Sequence, residues 1–260
     1  MELEASLKHF SPQGMHIGDD VKGTSPDRLT GTDVMAAIGT TSSRARFGLA
    51  AFFGRAGISK TDEKLAVQAL ARYAMDSAPK NVRKSAGQNF GQCMMLLAQF
   101  AFSEYARSAS TSAPCAACVG TGFTETHENV IKHPGITDKD GVTIVPPKTK
   151  YEPVKHVCTT CKGKGEIKAR CRCGGKGEVL DRQATEKAGV PVFKICNRCN
   201  GKGFSSVSSA TVHRAIERHI PALHQSSWSR NWKPFYENLV DTLRQGERHA
   251  AVEFEKATTY

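Results

Sequence analysis

Apolar residues recur at three- and four-residue steps along much of this 260-residue chain, the period of helices with one buried face. Val34-Met-Ala-Ala-Ile38 reads as a short helix that Thr32 or Asp33 can cap. Ser42 or Ser43 can cap a second, which carries Phe47, Leu49, Ala50, Phe52 and Phe53 until Gly54 and Gly57 end it. Ser59-Lys-Thr-Asp-Glu63 opens a third, with Leu65, Ala69, Leu70, Tyr73 and Ala74 on its inner face, and Pro79 stops it. A longer helix is expected from Val82 to Ala109, with Phe90, Met94, Leu97 and Ala101 on one stripe and Met95, Ala98 and Phe102 on the next. Cys93 falls inside that run as a buried free thiol.

The period fails in two places. Residues 1–31 hold Ser11-Pro12, Ser25-Pro26 and Asp19-Asp20 without a sustained apolar rhythm, and are expected to form a mobile arm. In the middle of the chain Val142, Ile144, Val154 and Val157 alternate around Val145-Pro-Pro147, which predicts a hairpin. Helical order returns at Ser208 or Ser209, with Val212, Ala215 and Ile216 inward and His213, Arg214 and Glu217 outward, and Pro221 ends that helix. A second helix starts near Ser229 or Lys233, because Pro234 fits only a first turn, and turns Trp232, Phe235, Leu239, Val240 and Leu243 inward. Two helices joined by a bend, with Arg230, Asn231 and Lys233 at the head of the second, fit a helix-turn-helix that offers this end to a DNA major groove.

Four cysteine clusters change the picture. Cys115-Ala-Ala-Cys118, Cys158-Thr-Thr-Cys161, Cys171-Arg-Cys173 and Cys196-Asn-Arg-Cys199 are each followed at one offset by two glycines: Gly120 and Gly122, Gly163 and Gly165, Gly175 and Gly177, Gly201 and Gly203. Paired thiolates can grip one side of a tetrahedral zinc, and the glycines let the chain turn so that backbone amides meet the sulfurs. Eight thiolates make two closed, structural Zn2+ sites. Three pairings of the clusters are compatible with the spacing: second with third is compact, leaving first with fourth to close around it, and sequential pairing stays open. The third cluster has one residue between its cysteines, so Cys171 or Cys173 could be free, with His156 as a substitute ligand.

The formal charge of +11 is concentrated in the same region. Residues 115–204 carry a net +7, against +3 for residues 1–114 and +1 for residues 205–260. A localised basic module favours a polyanionic partner, most simply nucleic acid. No phosphate-binding GxxxxGK[ST] loop, HExxH helix or GxSxG elbow is present, and an enzyme with a small-molecule substrate is the poorest class. No run approaches the roughly 20 apolar residues of a membrane span. A cytoplasmic protein with reduced thiols and no membrane partner is expected.

The stretch Leu29-Thr-Gly-Thr-Asp-Val-Met-Ala-Ala-Ile-Gly39, with Arg46-Phe-Gly-Leu-Ala-Ala-Phe-Phe-Gly54, resembles the antitermination protein Q family of lambdoid bacteriophages. Phe102-Ser-Glu-Tyr-Ala-Arg-Ser-Ala109, Trp228-Ser-Arg230 and Lys233-Pro-Phe-Tyr236 resemble it too, so that the likeness covers roughly residues 28–122 and 196–245. The resemblance implies a mainly helical protein with a helix-turn-helix, working in a bacterial host cell. It would bind double-stranded DNA overlapping a late promoter and join paused RNA polymerase through the primary sigma factor and the β flap, so that terminators are ignored and late genes expressed. It also implies one zinc site from Cys115, Cys118, Cys196 and Cys199, with Cys158, Cys161, Cys171 and Cys173 forming a second inside an insertion, residues 123–195. The four-cluster string is similar to the zinc region of DnaJ-type chaperones, which nests in the same way. No His-Pro-Asp tripeptide or Gly/Phe-rich linker accompanies it here; the chain has His133-Pro-Gly135.

The resulting expectation is a mainly α protein interrupted by a cysteine-rich module of short β-hairpins. Its parts are the arm, 1–31; a helical domain, 32–112; the zinc module, 113–205; and a helix-turn-helix segment, 206–260, packed on the helical domain. Arg230, Asn231 and Lys233 are the expected DNA-facing edge, with Lys194, Arg198 and Lys202 around the last knuckle and Ser208 and Arg214 on the preceding helix as phosphate contacts. A zinc-containing repressor and a DnaJ-like client-binding module are the rival functions.

Overall fold

Thr30 opens the first long helix with a capping box, in which its hydroxyl accepts from the Asp33 N–H and the Asp33 carboxylate accepts from the Thr30 N–H. The computed structural model describes residues 2–7, 30–137, 141 and 143–259. The helices in chain order are α1 Leu3–Ser6, α2 Gly31–Arg44, α3 Arg46–Arg55, α4 Lys60–Ser77, α5 Lys80–Ala86, α6 Phe90–Tyr105, α7 Arg182–Ala188, α8 Ser209–Glu217, α9 Gln225–Ser227 and α10 Lys233–Thr258. Two compact units contain them: Met1–Arg107 with Ser206–Tyr260, and Ser108–Ser205. The first is built of helices among the described residues; the strands all belong to the second.

In the helical unit α10 packs against α2, α3 and α6. Its inner residues Phe235, Leu239, Val240 and Leu243 join Leu70, Met94 and Leu97 in the main core, while Phe254 and Ala250 meet Val34, Leu49 and Phe52 in a second cluster. Three helices are tied together by charge. Arg55 Nη2 lies 2.5 Å from Glu247 Oε1, Tyr105 donates its hydroxyl to Glu247 Oε2 at 2.6 Å, and the guanidinium covers the Phe52 and Tyr105 rings. Burial and the Glu247 bond push the Tyr105 hydroxyl pKa well above its ordinary value.

Helices α3 and α10 cross at glycines. A Cβ on Gly48 would stand 1.8 Å from the Gly246 carbonyl oxygen, so the two backbones touch with no room for a methyl group. Gly48→Ala should cost about 1–3 kcal/mol as the crossing is forced open. Urea unfolding checks this; an unchanged midpoint would mean that the helices part freely.

Several helix boundaries and faces differ from expectation. α2 runs from Gly31 to Arg44 instead of stopping near Ile38, and Ser43 returns its hydroxyl to the Thr40 carbonyl inside the helix instead of capping the next one. The expected 82–109 helix is broken. Gly87 takes φ +52, α5 ends at Ala86, and α6 occupies Phe90–Tyr105. On α4 the buried face is Ala66, Leu70, Ala71 and Ala74, whereas Leu65 and Tyr73 are exposed. The two helices come close at one end: a Cβ on Gly54 of α3 would lie 2.8 Å from the Glu63 Cα of α4. Met95 is also partly exposed, while Cys93 is a fully buried free thiol.

Most of the expected mobile arm, residues 8–29 together with Met1, lies outside the described residues. Residues 2–7 depart from it, because α1 buries Leu3 against the cluster around Phe52 and Phe254.

At the C-terminal side Ser208 stands at the N-cap of α8. His213 is buried, not outward: its Nε2 is 3.2 Å from the Leu223 carbonyl oxygen and its ring 5.3 Å from that of Trp228. The second helix begins at Gln225, earlier than the proline implied, and passes through a π turn, Trp228–Trp232, into α10. Pro234 has no N–H to give the preceding turn, and the Lys233 N–H bonds to the Trp228 carbonyl five residues back. The wide turn keeps both indoles inward, Trp228 on Ser209 Oγ and Trp232 on Ser85 Oγ, each at 3.0 Å.

The cysteine unit is made of antiparallel pairs. β1 Ser112–Pro114 pairs with β6 Glu166–Lys168, β2 Phe123–His133 with β5 Lys148–Val157, β3 Ile136–Thr137 with β4 Thr143–Val145, and β7 Glu178–Leu180 with β8 Phe193–Ile195. The predicted hairpin is thus two. Ile144 lies in β4, Val154 and Val157 lie in β5, and Val142 falls outside the described residues.

Candidate metal centres

Each cysteine cluster sits between two strands, and the pairing of those strands decides which clusters meet. β2 leaves the first cluster and β5 enters the second, so their long pairing draws Cys118 and Cys158 together; β1 and β6 close the other side. β7 and β8, with the Arg170–Phe204 bridge, do the same for the third and fourth clusters. The thiols consequently gather as Cys115, Cys118, Cys158 and Cys161, and as Cys171, Cys173, Cys196 and Cys199, with all sulfurs of a group within 4.8 Å. This corrects the nested arrangement, first with fourth and second with third. The adjacent strands make each closure local, and the two resemblances that implied nesting do not determine it.

Within each centre the two knuckles lock reciprocally. The Cys115 N–H donates to the Gly165 carbonyl at 2.8 Å and the Cys158 N–H to that of Gly122 at 2.9 Å; Cys171 and Gly203, and Cys196 and Gly177, repeat the exchange at 2.9 and 2.8 Å. The final glycine is required there. Gly165 has φ +72, and a Cβ on it would meet the Gly120 carbonyl oxygen at 2.3 Å. The Gly122 and Gly203 amides point at Cys118 and Cys199 sulfurs, at 3.2 and 3.3 Å.

The short third cluster completes its centre. Cys173 Sγ lies 3.8 Å from Cys199 Sγ and Cys171 Sγ 3.9 Å from Cys196 Sγ, and Gly174 and Gly175 turn with positive φ as Val119 and Gly120, Lys162 and Gly163, and Asn200 and Gly201 do in the other knuckles. His156 is not a ligand; its Nε2 is 3.0 Å from Glu128. The cysteines are set against one another as bare thiols. The Cys161 N–H, followed by that of Thr160, lowers the Cys158 thiol to about 6, whereas burial raises Cys161 to about 11. In the other centre, burial lifts Cys199 to about 11, and backbone N–H groups led by that of Arg198 lower Cys196. A cation held between four sulfurs removes this conflict by favouring every thiolate at once.

The basic candidates divide between the units. Arg230 is exposed on the π turn; Asn231, half-buried beside it, accepts from Asn81 Nδ2 at 3.4 Å; and Lys233 lies 3.8 Å from Glu237. Arg214 and Ser208 are exposed on and before α8. In the cysteine unit Lys194 pairs with Asp181 at 3.2 Å, and Arg198 and Lys202 are exposed on the fourth knuckle. Asn81 carried no sequence signal, since its role depends on a contact made across 150 residues. Among the described residues no helix is long and apolar enough to cross a membrane.

The family described as "Antitermination protein Q" matches this chain over residues 23–109 and 165–251. The chain is 38% identical over 259 residues, 99% of its length and 100% of the relative's, to "Prophage antitermination protein Q homolog QuuQ" of Escherichia coli (strain K12). It is 33% identical over 243 residues to "Antitermination protein Q" of Salmonella phage P22, and 32% identical over 243 residues to that of Escherichia phage lambda, each alignment covering 92% of this chain and 91% of the relative. Residues 110–164, between the matched segments, hold the cysteines of the first centre, whereas those of the second fall inside the match. The interruption therefore lies earlier than the expected 123–195.

Proposed function

The chain belongs to the antitermination protein Q family, and on that premise we propose that it is a phage transcription antiterminator that binds DNA at a late promoter and joins RNA polymerase holoenzyme, through the β flap and the primary sigma factor. The observation that carries the reading is the family match on both sides of the first cysteine centre. α8 and the helix from Gln225 onward act as a helix-turn-helix, with Arg230 and Asn231 reading base edges and Lys233, Arg214 and Ser208 holding phosphates. Lys194, Arg198 and Lys202 add phosphate contacts from the cysteine unit.

The metal in both centres is zinc. A tetrahedron with zinc–sulfur bonds of about 2.3 Å has edges of about 3.8 Å, and the closest sulfur pairs are 3.7–3.9 Å apart. Four thiolates per centre leave no open position for a substrate, so the ions are structural.

Transcription in vitro from the phage late promoter through a terminator tests the function. Added protein should raise readthrough, and Arg230→Ala should lower the preference for cognate over random DNA by about 1–3 kcal/mol while the fold persists. Promoter binding without any gain in readthrough would instead identify a repressor.

A further inference from the structure

Helix α5 lies directly against the π turn that carries Arg230 and Asn231. One of its stripes, Asn81 and Ser85, faces that turn: Asn81 Nδ2 donates to Asn231 Oδ1 at 3.4 Å and Ser85 Oγ accepts from Trp232 Nε1 at 3.0 Å. Val82 and Ala86 form the buried stripe. Lys80 and Lys84, one turn apart, form the outer stripe next to Asn81 and Ser85, and both are exposed. The third cation of α5 serves the fold. Arg83 spans the end of α4, donating to the Ala78, Met75 and Asp76 carbonyls at 3.0, 2.6 and 2.7 Å, and lies over the Phe90 ring.

α5 has no acidic residue, and on the neighbouring helix Glu237 lies beside Lys233. The outer stripe also has no large apolar side chain, since Val82 and Ala86 point inward. Protein interfaces need an apolar centre, whereas the backbone of a nucleic acid is held by ammonium groups on an otherwise polar surface.

We infer that Lys80 and Lys84 form a second DNA contact, gripping the phosphodiester backbone beside the groove that Arg230 reads, with the Asn81–Asn231 bond fixing the spacing between the two contacts. The inference rests on the helix-turn-helix reading of α8 to α10. α5 then acts as a positioning element: it adds affinity for any duplex and holds the reading edge in register. It carries no base specificity of its own.

The test uses the full metal-loaded chain and two duplexes, one selected by the unaltered protein from a random pool and one of scrambled sequence. Binding is followed by fluorescence anisotropy over a salt series. The double variant Lys80→Ala/Lys84→Ala should flatten the slope of log K against log salt by about one per lysine on both duplexes, leaving their affinity ratio unchanged. Arg230→Ala should reduce the ratio with a smaller change in slope. If the double variant keeps the parent's slope while Arg230→Ala loses discrimination, the α5 contact is overturned and the helix-turn-helix reading stands. If the parent selects no sequence and Arg230→Ala changes nothing, the helix-turn-helix reading itself fails. Both lysines are exposed, and circular dichroism of each variant establishes that the helices persist.

Discussion

Replacing Cys115 and Cys158 together by serine will leave one bound metal ion per chain, and replacing Cys115 and Cys196 together will leave none. The first pair of thiols belongs to a single four-sulfur group and the second pair is divided between the two groups. Serine is too hard and too weakly acidic a donor to take the place of a thiolate, so each substitution empties the centre it touches. A nested arrangement reverses both results. Metal analysis of the purified variants decides between them, and one retained ion in the Cys115/Cys196 variant would refute the sequential pairing. The structural consequence is large, because zinc in a closed four-ligand site contributes about 10–16 kcal/mol to the fold it organises. In the Cys115/Cys158 variant amide exchange should accelerate through β2, β5 and the knuckles they join. Protection around Cys171, Cys173, Cys196 and Cys199 should remain.

The second large effect is expected at Trp228. Its indole is fully buried, donates to Ser209 Oγ at 3.0 Å and lies against the His213 ring, so one side chain joins α8 to the second helix. Trp228→Ala should lower stability by about 3–5 kcal/mol. Trp228→Phe retains much of the apolar contact and loses the hydrogen bond, for which about 1 kcal/mol is expected. Urea titration of both variants separates packing from hydrogen bonding. Equal losses would show that the indole N–H, not the ring, holds the bend.

What sequence reveals here depends on how local the determining contact is. Ser59 caps α4 as its position predicts, and Trp232, Phe235, Leu239, Val240 and Leu243 are all buried, because a cap and an apolar stripe are properties of neighbouring residues. The eight cysteines stand out for the same reason. Their grouping does not, because it follows from the β2–β5 pairing, and residues such as Ile131, Tyr151 and Val157 are exposed on that hairpin. With no buried face, the ribbon lacks the alternation by which a strand announces itself. His213 and the α4 face depart from the expected pattern in a related way. An imidazole can be buried when a carbonyl such as that of Leu223 is in reach, and α4 turns Ala66, Leu70, Ala71 and Ala74 inward in place of Leu65 and Tyr73. The length of the second helix was hidden by Pro234, whose usual rule the π turn evades.

The pairing of β1 with β6 brings the points where the chain enters and leaves the first centre side by side: Ser112 is opposite Lys168, and the Ala169 N–H donates to the Thr111 carbonyl at 2.8 Å. Such a neck makes everything beyond it a cassette. A gene could gain or lose the whole of residues 112–168 and rejoin its ends across one strand spacing, with no change demanded of the second centre's ligands. The segment between the two family-matched stretches nearly coincides with that cassette. Loss of that segment would remove one complete metal centre and leave all four cysteines of the other in the chain.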